Sequence, residues 1–211
     1  GLGFFVLFLL SIDLFVHSKK HVGFVIFSWT CLVLSHNITA AIGSGIGLLF
    51  FFMLAIKSKD KKKLFLQFII SGLLVTLLTA FFWVPVVFET AQTKLVQLTE
   101  DYTHFFPTFR ELIYSTWRFG PFKEGISPGK MSPQIGIVHS FIFVFSLFVV
   151  SFFVLFKKSY AYKNFILFFL IFGVICFFLA SPFSLFIWDN FYPLRFIQLP
   201  WRLVGYIAIS A

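Results

Sequence analysis

Long runs of Phe, Leu, Ile and Val that end in clusters of lysine constrain this chain more than any other feature. Ten lysines fall into three clusters, at positions 19–20, 57–63 and 157–163, and Asp60 is the one acidic residue among them. The chain is 59% hydrophobic and 12% charged, whereas soluble domains carry about 25% charged residues. This pattern predicts a multi-pass protein integral to the cell membrane, with its lysine clusters on the cytoplasmic side.

The formal charge of +9 raises the alternative of nucleic-acid binding. The excess positive charge lies in the lysine clusters, however, and the block from Glu89 to Lys130 holds five basic and five acidic residues. Such a distribution follows the positive-inside rule and does not form one basic face. We therefore expect membrane lipids, and no nucleic acid, as partners of the chain.

The lengths of the apolar runs predict an all-α transmembrane helix bundle. A helix needs about 20 apolar residues, or about 17 at the short end, to cross the hydrocarbon core. We treat the chain as a single transmembrane domain, 1–211, with spans at about 1–17, 22–36, 38–56, 64–87, 136–156 and 164–180, and the start of another at 201. Positions 35–39 divide the run 22–56 into a hairpin, and Pro85 breaks the fourth span near its outer end. Because the chain starts without Met and stops as a helix opens, we expect a fragment of a longer polytopic protein.

The block 89–135 is the one long polar stretch, and we expect it on the exterior face. After Pro107 the sequence predicts a short helix that lies along the membrane surface. Its apolar stripe is formed at helical spacing by Phe109, Leu112, Ile113 and Trp117. Arg110 and Glu111 fall off this stripe. Three Gly and three Pro predict a loop at 120–133, and the aromatic-rich segment 183–199 is expected at the outer interface.

Arg202 is the sharpest candidate for a binding residue. It follows Trp201 at the start of the last apolar run, and Gln198 precedes it by one helical turn. A planar guanidinium binds two phosphate oxygens at once, and a helix N-terminus favours an anion. The alternatives are an arginine that reaches the lipid headgroups or one that pairs with Glu89. Arg195 repeats the same pattern more weakly.

Four further polar residues are candidates for a site. Glu89 is a candidate general base or metal ligand, with an exterior salt bridge as the alternative. His36 either positions a substrate or carries a proton, or it forms hydrogen bonds at a helix end. The same two interpretations apply to His139, which lies one turn into the helix that follows Gln134. Since the sequence contains no Cys or His metal motif, we predict no metal site within this chain.

Four short motifs occur in one order along the chain. They are LSHN at 34–37, FWVPVVFE at 82–89, MSPQIGIVH at 131–139 after Trp117 and a Gly/Pro-rich loop, and QLPWR at 198–202. In this ordered set the chain resembles bacterial and archaeal polytopic proteins labelled "membrane protein, 6-pyruvoyl-tetrahydropterin synthase-related". Those proteins are in turn similar to GT-C-type glycosyltransferases, which use polyprenyl-phosphate sugars. The pterin label itself corresponds to no chemistry in these residues.

The resemblance implies a GT-C-like bundle that transfers a sugar from a polyprenyl-phosphate donor to a cell-envelope acceptor on the exterior face. The substrate-binding positions it implies are Arg202, Gln198, Trp201, His36, Gln134 and His139. Arg202 and Gln198 would hold the lipid phosphate, whereas Glu89 and His36 would line the acceptor side. The implied catalytic acid lies in an exterior loop upstream of Gly1, and Glu89 is a candidate within this chain. A divalent metal in the full-length protein stays open.

Two other classes of function fit the same features. One is a lipid or polysaccharide flippase or another transport component. The other is a non-catalytic membrane subunit of an envelope assembly. Polar residues gathered at one end of the helices favour the enzyme over a transporter, because transporters place broken helices and polar groups near the bilayer midplane.

Overall fold

The computed structural model of the chain describes residues 1–18, 20–89, 101–115, 133–156 and 163–211. Over these residues the secondary structure is helical, without a strand, which confirms the all-α prediction for this part of the chain. Two compact units are present, Gly1–Thr93 and Lys94–Ala211. The single-domain assignment stays a prediction. Trp117, Lys19 and the loop expected at 120–133 lie outside the described residues, except for Pro133.

The first unit contains five apolar helices. Its helices are α1 (Leu2–Ser18), α2 (Val22–Ser35), α3 (Asn37–Ala55), α4 (Lys61–Leu78) and α5 (Ala80–Glu89). α1 packs against α2 and α3, and α2 also packs against α4. The core is largely aromatic, because the fully buried side chains include those of Phe5, Phe8, Phe15 and Phe50. The predicted division of the run 22–56 into two helices is confirmed.

Close packing of α3 on α1 depends on glycine. A Cβ atom on Gly47 would lie 2.3 Å from Cε1 of Phe8, and one on Gly43 would lie 3.0 Å from Cδ2 of Phe5. Small residues let the backbones of membrane-type helices approach in this way. Between α1 and α2, the buried hydroxyls of Ser11 and Ser28 lie 2.8 Å apart, so a polar contact also joins this pair of helices.

The fourth predicted span is bent at Thr79 and not at Pro85, so that prediction was wrong. α4 and α5 meet at 69°. The hydroxyl of Thr79 donates to the carbonyl oxygen of Val75 at 2.7 Å, a local bond that bends helices. The indole N–H of Trp83 donates to the carbonyl oxygen of Thr76 at 3.0 Å, which satisfies an acceptor that the break leaves open. Pro85 lies inside α5.

The second unit contains two long helices and several short ones. They are α6 (Phe109–Ile113), α7 (Ile137–Leu155), α8 (Lys163–Ala180), α9 (Leu185–Asn190), α10 (Tyr192–Arg195) and α11 (Val204–Ser210). Short 3₁₀ turns lie at Asp101–Phe105, Pro182–Ser184 and Pro200–Leu203. α8 packs against α7 and α11 and against the last two turns. The helix predicted after Pro107 is present but has five residues, beginning after its Thr108 cap.

The lengths and compositions of the described helices support one to three membrane spans. Among the described residues, Asn37–Ala55 is the one helix that is by itself long and apolar enough to cross a membrane. The total rises to three if α4 with α5, and 164–180 with 182–190, each count as one bent span. α1, α2 and the section Ile137–Phe153 are apolar but shorter. The predicted multi-pass insertion therefore goes beyond what these lengths establish.

Candidate functional site

Arg202 lies in the 3₁₀ turn Pro200–Leu203, directly after the short helices of the second unit. Its Nη1 donates to the carbonyl oxygen of Ile197 and to Oε1 of Gln198, both at 3.0 Å. Gln198 has φ 65°, the only positive φ of a described residue other than glycine. The left-handed conformation costs a non-glycine residue roughly 1–2 kcal/mol. Strain of this kind occurs where the surrounding structure must hold one geometry, and here it holds the Gln198 amide against Arg202.

The remaining nitrogens of Arg202 are the feature that suggests a ligand. Within the described part of the second unit, both recorded hydrogen bonds of the guanidinium start from Nη1. The side chain is half-buried and stays protonated, as arginine does in proteins. Nε and Nη2 therefore form a fixed, positively charged pair of donors. This geometry suits two oxygens of a phosphate or carboxylate.

Arg195, in contrast, forms two hydrogen bonds to backbone oxygens. Its Nε donates to the carbonyl oxygen of Trp188 at 3.0 Å, and its Nη2 donates to the carbonyl oxygen of Asp189 at 2.7 Å. The guanidinium carbon lies 5.3 Å from the ring centre of Tyr102 and 5.8 Å from that of Tyr192. These contacts fasten α10 to the end of α9, which gives Arg195 a structural role.

Tyr102 and Asp189 form a pair that the sequence analysis did not single out. The hydroxyl of Tyr102 donates to Oδ1 of Asp189 across 87 positions of sequence. The ring of Tyr102 is buried and stacks on Trp188, with ring centres 5.6 Å apart. Burial first, and then the hydrogen bond to Asp189, raise the pKa of Tyr102, so its hydroxyl stays a neutral donor at physiological pH. Asp189 is exposed, which leaves Oδ2 open to solvent or a ligand.

These contacts form one continuous cluster. We name it the arginine corner and define it as Tyr102, Trp188, Asp189, Arg195, Gln198 and Arg202. The backbone N–H of Gln198 donates to the carbonyl oxygen of Arg195 at 2.9 Å. This bond connects Arg195 to Gln198, the residue whose side chain contacts Arg202. The turn Asp101–Phe105 also packs against the turn Pro200–Leu203. No spacing rule could have joined Tyr102 to Asp189, because their contact depends on how distant turns pack.

Two of the predicted site residues, His36 and Glu89, lie in the first unit. His36 is the N-cap of α3, where its Nδ1 accepts from the backbone N–H of Thr39 at 3.2 Å. The hydroxyl of Thr39 lies 3.1 Å from the same nitrogen. These contacts correspond to the alternative in which His36 forms hydrogen bonds at a helix end. Glu89 is exposed at the last residue of α5.

Gln134 and His139 lie beside α6 and α7 in the second unit. Oε1 of Gln134 accepts from the backbone N–H of Ser115 at 3.2 Å, and the N–H of Ile135 donates to the carbonyl oxygen of Leu112 at 2.7 Å. Gln134 thus ties its own segment to the end of α6. His139 is exposed in the first turn of α7. Trp201 is half-buried next to Arg202.

Glu111 is buried, although the sequence placed it off the apolar stripe of α6. The side chain is 4% exposed. Its Oε2 accepts from the backbone N–H and the hydroxyl of Thr108 at 2.7 and 2.8 Å, and the Thr108 hydroxyl accepts from the N–H of Glu111. This is a capping box, and the spacing Thr-x-x-Glu is its sequence signal. A carboxylate engaged in this way stabilises the start of α6.

A metal centre gains no support from the part of the chain that the structure describes. There, no three His, Cys, Asp or Glu side chains lie close enough together to hold a metal ion. The arginine corner itself carries a single carboxylate, that of Asp189. Its donor set suits an anion better than a cation.

No family model, no curated protein and no solved structure matches this chain. The resemblance to the polytopic family therefore stays an expectation based on the four ordered motifs.

Proposed function

We propose that this chain is part of a polytopic membrane glycosyltransferase, which transfers a sugar from a polyprenyl-phosphate donor to a cell-envelope acceptor on the exterior face. The observation that carries the proposal is the half-buried guanidinium of Arg202, whose hydrogen bonds to the described residues both start from Nη1. Such a group forms an anion site in a chain that is 59% hydrophobic. A lipid phosphate suits both the anion site and the apolar surfaces of the chain, because its headgroup is anionic and its tail is apolar.

The exposed surfaces support a lipid environment. On α4, Leu66, Leu73 and Leu77 are 59–72% exposed and recur along one face. On α7, Phe141, Phe145 and Phe148 are 57–70% exposed and form a similar stripe. Water would make surfaces of this kind costly, at about 25 cal/mol for each Å² of apolar area. Membrane lipids cover them without that cost, which supports several passes through the cell membrane.

The energetics support phosphate as the headgroup. Two unit charges 4 Å apart attract each other by about 4 kcal/mol near a protein surface. Nε and Nη2 of Arg202 can donate to two phosphate oxygens at once, since the Gln198 amide fixes the plane of the guanidinium from the other side. In the reaction, the same contact would stabilise the charge that develops on the departing phosphate.

The second candidate function is a flippase or transport component, and the third is a non-catalytic envelope subunit. The bend between α4 and α5 gives the transporter some support, because transporters use broken helices around their substrates. The arginine corner favours the transferase, since its polar groups other than Tyr102 lie on short helices and turns that follow α8. Substrate flux without sugar transfer would favour the second candidate. Neither flux nor transfer would favour the third.

The proposal is tested by replacing Arg202 in the full-length protein, reconstituted in lipid nanodiscs. Arg202→Ala removes a charged, two-point hydrogen bond worth about 1.5–3 kcal/mol. Binding of polyprenyl phosphate should weaken by roughly 10- to 150-fold, and sugar transfer should fall with it. Arg110→Ala is the matched control, because Arg110 is an exposed arginine on α6 and should leave both quantities unchanged. Equal binding and equal transfer in the Arg202→Ala and Arg110→Ala proteins would refute the proposal.

A further inference from the structure

Exposed lysines gather at one end of the first unit. Three Phe side chains locate that end, since the ring centre of Phe51 lies 6.4 Å from that of Phe15 and 5.1 Å from that of Phe65. These residues lie about one helical turn from the end of α3, the end of α1 and the start of α4. The segments that follow α1 and α3 therefore meet at the same end. We name the surface there the lysine rim and define it as Lys20, Lys57, Lys59, Lys61, Lys62 and Lys63, which are all exposed.

The lysine rim carries a strong excess of positive charge. α3 ends at Ala55 and α4 begins at Lys61, so five of the lysines are confined to positions 57–63, where Asp60 is the one acidic residue. Asp13, further into α1, lies 3.3 Å from Nδ1 of His17. Like charges held this close repel one another, and a fixed anion beside them would offset that repulsion. The rim therefore suits an anionic partner.

Exposed apolar side chains lie directly beside the lysine rim. Ile56 precedes Lys57 and is 58% exposed, and Leu66 follows Lys63 by about one turn and is 59% exposed. Phe52, one turn before Ile56 on α3, is exposed as well. We name Phe52, Ile56 and Leu66 the apolar collar. A lysine stem lies along apolar surface while its ammonium group reaches a polar layer, so the collar suits acyl chains and the rim suits their headgroups.

We propose that the lysine rim binds the headgroups of anionic phospholipids such as phosphatidylglycerol, whose acyl chains lie on the apolar collar. A soluble anion matches the rim but leaves the collar in water. A zwitterionic lipid covers the collar, but its headgroup has no net charge for the lysines. Of these three partners, the anionic lipid alone matches both surfaces. Lysines beside a membrane helix attract anionic lipids by about fivefold in affinity for each side chain. The inference goes beyond sugar transfer, because it concerns the lipid that the first unit selects.

The experiment uses the full-length protein in detergent micelles and native mass spectrometry, which resolves each bound lipid. The Kd of the first bound phosphatidylglycerol is compared with that of phosphatidylcholine with the same acyl chains. We expect phosphatidylglycerol to bind more tightly by about fivefold or more. Raising ammonium acetate from about 0.1 to 1 M should remove most of this difference, because the Debye length falls from about 10 to 3 Å.

Charge variants locate the binding. Replacing Lys61, Lys62 and Lys63 together by Gln should weaken phosphatidylglycerol binding by about fivefold for each lysine that contacts the headgroup, and it should leave phosphatidylcholine binding unchanged. Replacing the same three lysines by Arg keeps the charge and should keep the preference. If the triple Gln protein does not fold, Lys57→Gln with Lys59→Gln tests the same surface, because these two residues lie between α3 and α4. Arg110→Gln, an exposed arginine of the second unit, is the control and should bind both lipids as the wild type does.

Three results would overturn the inference. The first is equal affinity of the wild type for the two lipids, and the second is unchanged phosphatidylglycerol binding in the Gln variants. The third is loss of the preference when inorganic phosphate is added at the same phosphate concentration, because the rim would then be a site for soluble anions. None of these measurements uses sugar transfer. A failure of this inference therefore leaves the proposed function untouched, and a protein that transfers no sugar can still show the lipid preference.

Discussion

Replacing Gly47 by alanine tests the packing of α3 on α1. The new Cβ atom would lie 2.3 Å from Cε1 of Phe8 and 3.0 Å from its Cδ1 and Cζ atoms. Phe8 is fully buried, and its ring also contacts Trp29 at 4.9 Å, so it has little space into which it can move. Overpacking of a core costs about 1–3 kcal/mol.

Alanine also favours the helix over glycine by about 1 kcal/mol, which would hide part of this cost. Gly45→Ala is therefore the matched control, since it lies on the same helix and has no atom within 4 Å of its Cβ position. The gain in helix propensity is common to both variants and cancels in their difference. We expect Gly47→Ala to be less stable than Gly45→Ala by about 1–3 kcal/mol.

The measurement is the free energy of unfolding of both variants in the same detergent, followed by tryptophan fluorescence. Parallel hydrogen-exchange data on α1 and α3 would locate the effect. The reasoning is refuted if Gly47→Ala is as stable as Gly45→Ala, because α3 would then not approach Phe8 as closely as the structure requires.

Two other predictions concern individual hydrogen bonds. The hydroxyls of Ser11 and Ser28 lie 2.8 Å apart. A double-mutant cycle on Ser11→Ala and Ser28→Ala should therefore give a coupling of about 0.6 kcal/mol, and no more than about 1.7 kcal/mol, in the free energy of unfolding. A coupling of zero would contradict this contact. The pKa of Tyr102 is raised by burial and by Asp189, so the folded state holds that proton more tightly than the unfolded state. The stability that this proton contributes is complete below the unfolded pKa of about 10 and is lost as the pH rises through the higher folded pKa. The free energy of unfolding, measured from about pH 9 to 11, should therefore fall less for Tyr102→Phe than for the wild type.

Much of the helical architecture could be predicted from the sequence, because apolar runs and lysine clusters mark where helices start and stop. The division of the run 22–56 at His36 is an example, since a polar break within an apolar run predicts a helix end. The bend at Thr79 could not be found in this way. Pro85 was the stronger local signal, and the actual bend depends on side-chain hydrogen bonds from Thr79 and Trp83 to backbone carbonyls.

Two members of the arginine corner could be predicted from the sequence as a pair. Arg202 and Gln198 are four positions apart, and their contact is local. Asp189 was missed, because as a lone acid in an aromatic segment it gives no pattern, and its partner Tyr102 is distant in sequence. Arg195 repeats the sequence pattern of Arg202 more weakly, and its Nε and Nη2 donate to backbone oxygens that only the fold brings near.

The most direct test of the central claim is photo-labelling with a polyprenyl phosphate that carries a small photoreactive group next to the phosphate. The full-length protein is labelled in nanodiscs and digested, and the modified peptides are identified by mass spectrometry. Labelling concentrated at 189–203, reduced by unlabelled polyprenyl phosphate and lost in Arg202→Ala, is the predicted result. Labelling spread over the exposed apolar faces of α4 and α7, unchanged in Arg202→Ala, would contradict a phosphate site at the arginine corner.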